Sequence, residues 1–291
     1  MEVYTSLIID IRKSRSYNMD TRNRIQQHIL NCVTIMNYIL KDQIVFKVDF
    51  SAGDELQGLF KNTVSAVMYV RLMELMVKPV EIRAGIGVGE WNVRMPGSGS
   101  TRQDGPAYHM ARKGIEEVYK RQTERFRVRS ENDEDLMGNY LINASMKLLQ
   151  EQTCFQCEVQ LMNEVMYPFV LTTGQEKRMR QQGIKMLMLL QEFHGRVSGR
   201  PNGEAGEPGD GGEPASESIS AFLKVQRGIY INGSLEDGEK VLESQKFSAA
   251  VAAITGRTRQ NSEKLIKRGN VMIIRNMDYM ALQYLYTQYG G

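Results

Sequence analysis

The sequence predicts an α+β or α/β fold, in which helices pack on one sheet. Over the first 130 residues, short apolar runs typical of strands alternate with longer segments whose apolar residues recur at helical spacing. Their order is β-α-β-β-α-β, followed by a further helix and strand, an alternation that implies a sheet covered by helices. The chain has 291 residues, 42% apolar and 24% charged, as in ordinary globular proteins of about two domains.

The first half of this pattern is a strand, a helix and a strand pair. Residues 3–10 are apolar on both faces, which favours a buried strand, and residues 21–41 place Ile, Val, Met and Leu on one helical face. Residues 44–48 and 55–60 predict two strands that flank a turn at Gly53-Asp54.

The second half repeats helix and strand. Pro79 follows a predicted helix over 62–77, where a proline often stops a helix. The next strand, 81–89, carries glycines at 85, 87 and 89, which weaken a strand unless a ligand or another backbone approaches closely. A polar loop over 96–103, a helix over 106–120 and a strand over 126–129 complete the pattern.

The rest of the chain divides by composition. Residues 136–194 are rich in Met and Leu and predict mainly helix. Residues 195–217 hold seven glycines, three prolines and five acidic residues, which favours a flexible linker. The predicted organisation is a sheet domain over 1–130, a helical region over 131–194, a linker over 195–217 and a C-terminal domain over 218–291.

The cysteines and the hydropathy pattern predict a cytoplasmic protein. An odd, sparse count of three cysteines is not a disulfide framework, which favours a reducing compartment. The pair Cys154 and Cys157 cannot form a four-ligand zinc site alone, so we expect two small residues on a helix. The sequence contains no run of about 18 apolar residues, so it predicts no membrane span. The N-terminus lacks the basic segment of a signal peptide.

Two carboxylates are candidate metal ligands. Asp10 ends the first strand, and Asp54 lies in the turn between the next two. A hard divalent cation needs clustered oxygen ligands on rigid backbone, and these two positions can supply them. The alternative is local: Asp10 caps the following helix, and Asp54 is an ordinary turn residue.

A basic helix–turn–helix pattern over 246–270 predicts contact with duplex DNA. With six basic residues and one acidic residue, the segment has a net charge of +5, whereas the whole chain carries only +3. Basic residues on a recognition helix suit phosphate and base contacts, and the alternative is a solvated helical hairpin packed on the first domain. The candidate DNA-contacting residues are Arg257, Arg259, Gln260, Lys264, Lys267 and Arg268.

Four segments resemble the SatD family of bacterial proteins. They are 9–15 (IDIRKSR), 52–58 (AGDELQG), 82–89 (IRAGIGVG) and 104–112 (DGPAYHMAR), and their order and spacing match over roughly residues 3–120. The last segment is the most specific. The downstream helix–turn–helix pattern also resembles this family, whereas the acidic linker does not.

The same landmarks resemble the class III nucleotidyl cyclase fold, which implies a ferredoxin-like, cyclase-like mixed sheet. By this resemblance, Asp10 and Asp54 would hold Mg²⁺ or Mn²⁺ with the Ile11 carbonyl as a further ligand, and Arg112 would stabilise charge on the α-phosphate. Cyclase sites form between two subunits, so a homodimer is implied. The turn after the first strand would face the β- and γ-phosphates of a nucleoside triphosphate at a helix N-terminus, through Ile11, Arg12, Lys13, Ser14 and Arg15.

Three positions depart from the cyclase pattern. Tyr108 replaces an Asn that orients the ribose, Phe50 replaces a purine-reading Lys, and Asp104 is one residue out of register with the base-reading Asp. The metal and phosphate half of the site therefore looks retained, and the half that reads ribose and base is altered. His109 is a candidate acid or base or a satisfied helix histidine, and His28 and His194 look like surface or helix-face residues with no partner pattern in the sequence.

These patterns support two classes of function. The first is a protein that binds a nucleotide with Mg²⁺, either a divergent nucleotidyl cyclase or a nucleotide sensor. The second is a DNA-binding transcriptional regulator whose cyclase-like domain only dimerises or senses a ligand. A third interpretation is a degenerate cyclase fold used only for protein contacts, which the crowding of Asp49, Asp54 and Glu55 makes less attractive because like charges repel without a cation.

Overall fold

A computed structural model of the chain describes residues 2–121, 123–131, 135–197, 219, 221–235 and 247–290. Its main sheet has five strands in the order β2-β3-β1-β4-β5, and a second, two-stranded sheet pairs β6 with β7. The strands are β1 (Val3–Ile11), β2 (Ile44–Ala52), β3 (Glu55–Phe60), β4 (Ile82–Glu90), β5 (Phe126–Arg129), β6 (Phe169–Val170) and β7 (Ile229–Tyr230). The longer helices are α1 (Met19–Ile39), α2 (Thr63–Val77), α3 (Pro106–Lys120), α4 (Asp135–Glu151), α5 (Cys154–Met166), α6 (Thr173–Val197), α7 (Phe247–Thr255), α8 (Arg259–Arg268) and α9 (Val271–Tyr289).

The sheet confirms the predicted α+β class and its ferredoxin-like strand order. Strand β1 lies in the centre and runs antiparallel to both β3 and β4. Helix α1 connects β1 to β2, a hairpin leads to β3, and α2 leads to β4, so the order β2-β3-β1-β4 is that of a βαββαβ unit. Strand β5 extends the sheet parallel to β4.

The two faces of the sheet are covered by different helices. Leu7 and Ile9 point into the large core shared with α1 and α2, and both are fully buried. Because successive side chains of a strand point to opposite faces, Ile8 faces the other way and packs against Ala111 and Ile115 of α3. Asp10 is therefore on the same face as α3.

The glycines of β4 let α3 lie directly on the sheet. A Cβ atom at Gly85 would lie 2.3 Å from the Ala111 carbonyl oxygen, and one at Gly87 would lie 2.0 Å from the Ala107 carbonyl oxygen. Both distances are far below van der Waals contact. The backbone that lies close to these glycines is therefore that of α3. This packing fixes the position of α3 and hence the region that the Arg112 side chain can reach.

A buried ion cluster joins the helices beyond the sheet. Arg71 of α2 contacts Glu164 of α5 at 3.0 Å and also pairs with Asp278 of α9, while Arg275 of α9 pairs with Glu164. Arg275 is fully buried beneath Phe169, with its Cζ 3.4 Å from the ring centroid. We call Arg71, Glu164, Arg275 and Asp278 the buried ion cluster. It fixes α9 against α2 and α5.

The remaining predictions about organisation have mixed outcomes. The region predicted as mainly helical contains α4, α5 and α6, and residues 195–197 end α6. The predicted linker from residue 198 onward lies outside the described residues, as does Lys246. The domain boundaries stay a prediction. None of the helices in the described part of the chain combines the length and apolar character that a membrane span needs.

Candidate functional site

A carboxylate cluster forms where β1 ends and β3 begins. Asp10 is the penultimate residue of β1, Asp54 lies in the turn between β2 and β3, and Glu55 opens β3. The turn is local chemistry: Gly53 has φ +64°, a conformation that glycine adopts without strain. Ile9 pairs with Leu56, which brings the end of β1 level with the start of β3. The fold therefore places Asp10, Asp54 and Glu55 together at one edge of the sheet, and we call these three residues the carboxylate cluster.

The carboxylates of this cluster interact electrostatically. Partial burial raises the pKa of Asp10, and the nearby charges of Asp54 and Glu55 raise it further. Arg83, which pairs with Asp10 across β1 and β4, and a hydrogen bond from Tyr119 act in the opposite direction. Burial and the negative charges together outweigh these two interactions, so the pKa of Asp10 is raised overall.

The predicted metal ligands are thus brought near one another, but the acidic set is small. Among the described residues, no group of three or more His, Cys, Asp and Glu side chains is arranged to hold a metal ion. Asp10 and Asp54, with the carbonyl of Ile11, are oxygen donors of the type that Mg²⁺ accepts together with water and phosphate. These donors are of the chemical type that Mg²⁺ or Mn²⁺ accepts.

Arg112 reaches the cluster from α3. Its Nη1 and Nη2 atoms donate to the two carboxylate oxygens of Glu55 at 2.7 and 2.8 Å. The Arg112 side chain is 46% exposed and that of Glu55 is 16% exposed, so the pair lies at the surface end of the cluster. Two turns further along α3, Tyr119 lies under the guanidinium of Arg83, with its ring centroid 5.2 Å from Cζ. The site therefore combines three carboxylates with two guanidinium groups.

The turn after β1 differs from the arrangement that the resemblance implies. Residues Ser14–Ser16 form a short 3-10 turn, and α1 begins only at Met19, capped by Asn18. Lys13 has φ 57°, and its carbonyl accepts hydrogen bonds from the backbone and side chain of Ser16. Because this turn intervenes, the N-terminus of α1 does not directly follow Ile11.

The side chains of this turn have different surroundings. Arg12 pairs with Glu81 at 2.5 Å. Ser14 is buried, whereas Lys13 is exposed. The side chain of Arg15 lies outside the described part of the structure, so its predicted phosphate contact stays a prediction. Arg12 is therefore committed to another ion pair, and Lys13 is an exposed cation that a ligand can reach.

His109 and Tyr108 occupy different sides of α3. The His109 side chain is 71% exposed, and its Nε2 lies 3.3 Å from Asp104 Oδ1. Tyr108 is buried, and its hydroxyl shares a 3.3 Å hydrogen bond with Ser100. Burial raises the pKa of Tyr108 to about 12. The position that the cyclase resemblance compares with a ribose-orienting Asn is therefore filled by a packed aromatic side chain, and His109 lies on the solvent side of the helix.

The basic C-terminal segment forms two short helices joined by a tight turn. Gly256, with φ +66°, ends α7, and Thr258 caps α8 through the backbone N–H of Asn261. Ser262 is fully buried and bonds back to the Thr258 carbonyl, so a small polar residue fits the inner side. Arg257 packs over Phe155 with its Cζ 4.7 Å from the ring centroid. The candidate contact residues on the exposed side are Arg259, Gln260, Lys264, Lys267 and Arg268.

Sequence reasoning did not select Glu55, Arg83 and Tyr119 as site residues. Glu55 follows Asp54 directly, and its side chain holds Arg112. Tyr119 lies seven residues after Arg112, which is two helical turns and hence the same face of α3. The helical spacing was a usable signal for Tyr119, but the pairing of Arg83 with Asp10 depends on the sheet register.

The surface position considered for two histidines was wrong, and both lie on buried helix faces. His28 and His194 are both buried, and both have partners. His28 Nε2 lies 2.8 Å from the Met76 carbonyl oxygen, and His194 Nδ1 lies 2.7 Å from Glu158 Oε1. Both partners come from other helices, so the helical pattern of each histidine's own segment could not reveal them.

Comparison with known proteins identifies the family. A solved structure described as that of a bacterial light-regulated adenylyl cyclase is similar at 13% identity and a TM-score of 0.31, over 43% of this chain and 74% of that one. A likeness at that level carries no argument about this chain. A comparison with curated proteins found no match. The model of the SatD family matches residues 4–166, more than half of the chain, including the sheet and the carboxylate cluster. On that match, the chain belongs to the SatD family.

Proposed function

We propose that this protein binds a nucleoside triphosphate together with Mg²⁺ or Mn²⁺ at the carboxylate cluster. The observation that supports it most is the placement of Asp10 of β1 and Asp54 of the β2–β3 turn within electrostatic reach of each other. Crowded carboxylates at a partly buried site are unfavourable without a cation, and a divalent cation would neutralise them. The cation would in turn bind the triphosphate oxygens.

The cations around the cluster suit phosphate. Arg112 presents a planar guanidinium of the kind that binds two oxygens of a phosphate, and it already holds two oxygens of Glu55. In the proposed complex, Arg112 exchanges Glu55 for a phosphate group. Lys13 adds an exposed positive charge at the turn after β1. Arg12 has no role in this proposal, since it pairs with Glu81.

The ribose and base half of the site favours a sensor over a cyclase. Tyr108 is buried where cyclases place the ribose-orienting Asn, so this position of α3 does not supply that amide. We therefore propose ligand binding as the function of the cluster. Activity assays with a nucleoside triphosphate would test phosphoryl or nucleotidyl transfer. Light scattering of the full chain would test whether it forms a homodimer.

The experiment is thermal unfolding of the full chain with ATP or GTP, each with Mg²⁺ or Mn²⁺. A ligand at 100 times its dissociation constant adds about 2.7 kcal/mol to the free energy of unfolding. We expect a metal-dependent rise in the wild type that disappears in Asp54→Asn. The matched control is Glu151→Gln, which removes one exposed negative charge from α4, far along the chain from the cluster. No rise with any nucleotide, or an equal rise in Asp54→Asn, would overturn the proposal.

A second candidate function is binding of duplex DNA by α8. It is favoured by the exposure of four basic side chains and Gln260 on one short helix that follows a tight turn. The described residues 247–270 hold five basic residues and one acidic residue, Glu263, which bonds to Arg259 at 3.0 Å. Net positive charge on an exposed helix supports contact with phosphates and base edges.

This candidate predicts a specific salt dependence. The double substitution Lys264→Gln with Lys267→Gln should weaken binding to duplex DNA and reduce the slope of log K against log salt by about 1 for each phosphate that is no longer neutralised. Fluorescence anisotropy with labelled DNA at several salt concentrations measures both. Lys147→Gln with Lys185→Gln removes the same charge from exposed positions on α4 and α6 and should leave binding unchanged. Equally weakened binding in both double variants would mean that only total charge matters.

A further inference from the structure

Two cysteines at the start of α5 have different surroundings. Cys154 is the first residue of the helix after the Thr153 cap, and Cys157 follows one turn later. Cys154 is partly exposed. Cys157 is fully buried, and its Sγ donates to the Leu75 carbonyl oxygen at 3.3 Å. Reagents in solution can therefore reach the first thiol but not the second.

A buried histidine from α6 pairs with Glu158, which lies one helical turn after Cys154 on the same face of α5. His194 is 5% exposed, and its Nδ1 lies 2.7 Å from Glu158 Oε1. The other oxygen of Glu158 accepts a 3.2 Å hydrogen bond from Gln191. Glu158 therefore fixes the imidazole. The second ring nitrogen, Nε2, is buried without a well-aligned hydrogen-bond partner in the described part of the chain.

The electrostatics of the two thiols follow from this geometry. Polar interaction with the His194 ring lowers the pKa of Cys154, against the effect of its partial burial. Burial alone would lower the pKa of His194, but Cys154 and Glu158 raise it to about 9. Burial raises the pKa of Cys157. A thiolate forms most readily at Cys154, beside an imidazolium and at a helix N-terminus, which is the environment of a reactive cysteine.

We propose that Cys154 is a nucleophilic thiol that undergoes exchange with small-molecule disulfides, with His194 and Glu158 as its activating pair and Cys157 as the resolving thiol. This site is separate from the carboxylate cluster and does not depend on the proposed nucleotide binding. The CxxC spacing is visible in the sequence, but the reason to expect reactivity is the histidine that α6 brings to it.

The exchange balances in two steps. His194 takes the proton of Cys154, the thiolate attacks one sulfur of the small disulfide, a mixed disulfide forms, and the leaving thiolate takes the proton from His194. Cys157 then attacks Cys154 Sγ and gives its proton to the second small thiol as that thiol leaves. Two protein thiols are oxidised to one disulfide, and one small disulfide is reduced to two thiols.

The second step requires only local movement. Side chains three residues apart on a helix have Cβ atoms about 5–6 Å apart, whereas a disulfide needs about 3.5–4.5 Å. Cys154 lies in the first turn, where backbone N–H groups are not held by intrahelical bonds. Cys157 exchanges its hydrogen bond to Leu75 for the new bond. Closure is therefore compatible with the rest of α5 staying in place.

The test is alkylation and oxidation of the reduced, full-length folded protein, with peptides read by mass spectrometry. We expect iodoacetamide to label Cys154 alone, and Glu158→Gln to shift the midpoint of its pH–rate profile upward. Oxidised glutathione should give the Cys154–Cys157 disulfide in the wild type. In Cys157→Ser the mixed disulfide with glutathione should accumulate, and in Cys154→Ser neither product should form.

The controls separate reactivity from unfolding. Cys32→Ala removes the third, buried cysteine and should leave both the labelling rate and the disulfide unchanged, provided that circular dichroism shows a folded protein. If Glu158→Gln unfolds, the pH–rate profile of wild-type Cys154 alone tests the proposal. The alkylation rate of an activated thiol has its midpoint at a lower pH in the folded protein than in the denatured chain. Equal midpoints in folded and denatured protein, or glutathione adducts distributed over all three cysteines, would overturn the proposal.

Discussion

Arg112 and Glu55 join α3 to β3 through two hydrogen bonds, of 2.7 and 2.8 Å, at the surface end of the carboxylate cluster. Glu55 thus occupies the guanidinium that the proposed ligand would use. The Glu55 carboxylate therefore occupies the position at which a phosphate of the proposed ligand would bind.

The first prediction follows from that pair. Glu55→Gln removes the charge that holds Arg112, so we expect tighter binding of nucleoside triphosphate, by up to about tenfold, which corresponds to about 1.4 kcal/mol. Isothermal calorimetry with Mg²⁺ present measures the affinity. Arg112→Gln should weaken binding, because it removes the guanidinium itself. If Glu55→Gln weakens binding instead, Glu55 is a ligand of the metal and not a stand-in for phosphate.

The second prediction concerns Asp10. Its pKa is raised in the folded state by burial and by Asp54, so the folded protein binds a proton more tightly than the unfolded chain. Stability is therefore lost as pH rises from the unfolded pKa through the folded one. Asp10→Asn should be more stable than the wild type at neutral pH, by on the order of 1 kcal/mol or less at this partly solvated site, and equal to it in acid.

Urea unfolding at several pH values, without divalent metal, measures this difference. Adding Mg²⁺ with nucleotide should stabilise the wild type and leave Asp10→Asn unchanged. A variant that is less stable than the wild type at neutral pH would contradict the assigned electrostatics.

The third prediction concerns Glu74 of α2. It is 5% exposed, the Gln150 amide donates to it at 3.4 Å, and burial raises its pKa from 4.5 to about 7. Because the folded state holds the proton more tightly, stability falls as pH rises from about 4.5 to about 7, by on the order of 3 kcal/mol. In urea unfolding, the free energy of unfolding of Glu74→Gln should equal that of the wild type at the lower of these two pH values and exceed it above the higher one. Glu151→Gln, at an exposed position, should show no such divergence.

The fourth prediction tests the contact between α3 and the sheet. A Cβ at Gly87 would lie 2.0 Å from the Ala107 carbonyl oxygen, so Gly87→Ala must displace the helix. We expect the free energy of unfolding to fall by about 3 kcal/mol or more. Gly99→Ala is the matched control, because a Cβ at Gly99 meets no atom within 4 Å and its φ of −76° suits alanine. Chemical denaturation compares them, and equal effects would contradict the close packing.

The fifth prediction concerns the buried ion cluster. Arg275→Met leaves Glu164 with a single guanidinium partner in a fully buried position. Removing one member of a buried ion network costs about 3–5 kcal/mol. The exposed ion pair of Arg196 with Glu192 provides the comparison, since Arg196→Met should cost less than about 1 kcal/mol. Thermal unfolding distinguishes the two, and a near-neutral Arg275→Met would mean that the cluster is not needed for stability.

Local sequence patterns were sufficient for most of the fold. The apolar run over 3–10, the glycine turn at 53 and the proline-opened helix at 106 each depend on near neighbours, and the structure places β1, the β2–β3 turn and α3 there. Asp10 and Asp54 could be paired because a strand end and a turn between neighbouring strands are predictable in position. The helical spacing over 21–41 also predicted that α1 begins well after Ile11, but the short turn at Ser14–Ser16 was not predictable, because Lys13 adopts a left-handed conformation that composition does not specify.

The sequence by itself determined the alternation of strands and helices, the carboxylates at the sheet edge and the CxxC spacing, since hydrophobic periodicity and turn chemistry act over a few residues. Only the tertiary structure decided that Arg112 binds Glu55, that Glu158 fixes His194 beside Cys154, and that Arg71 and Arg275 share Glu164. Each of these contacts joins segments far apart in the chain. Which distant charges come into contact depends on sheet register and on helix packing. Neither can be predicted from a local sequence pattern.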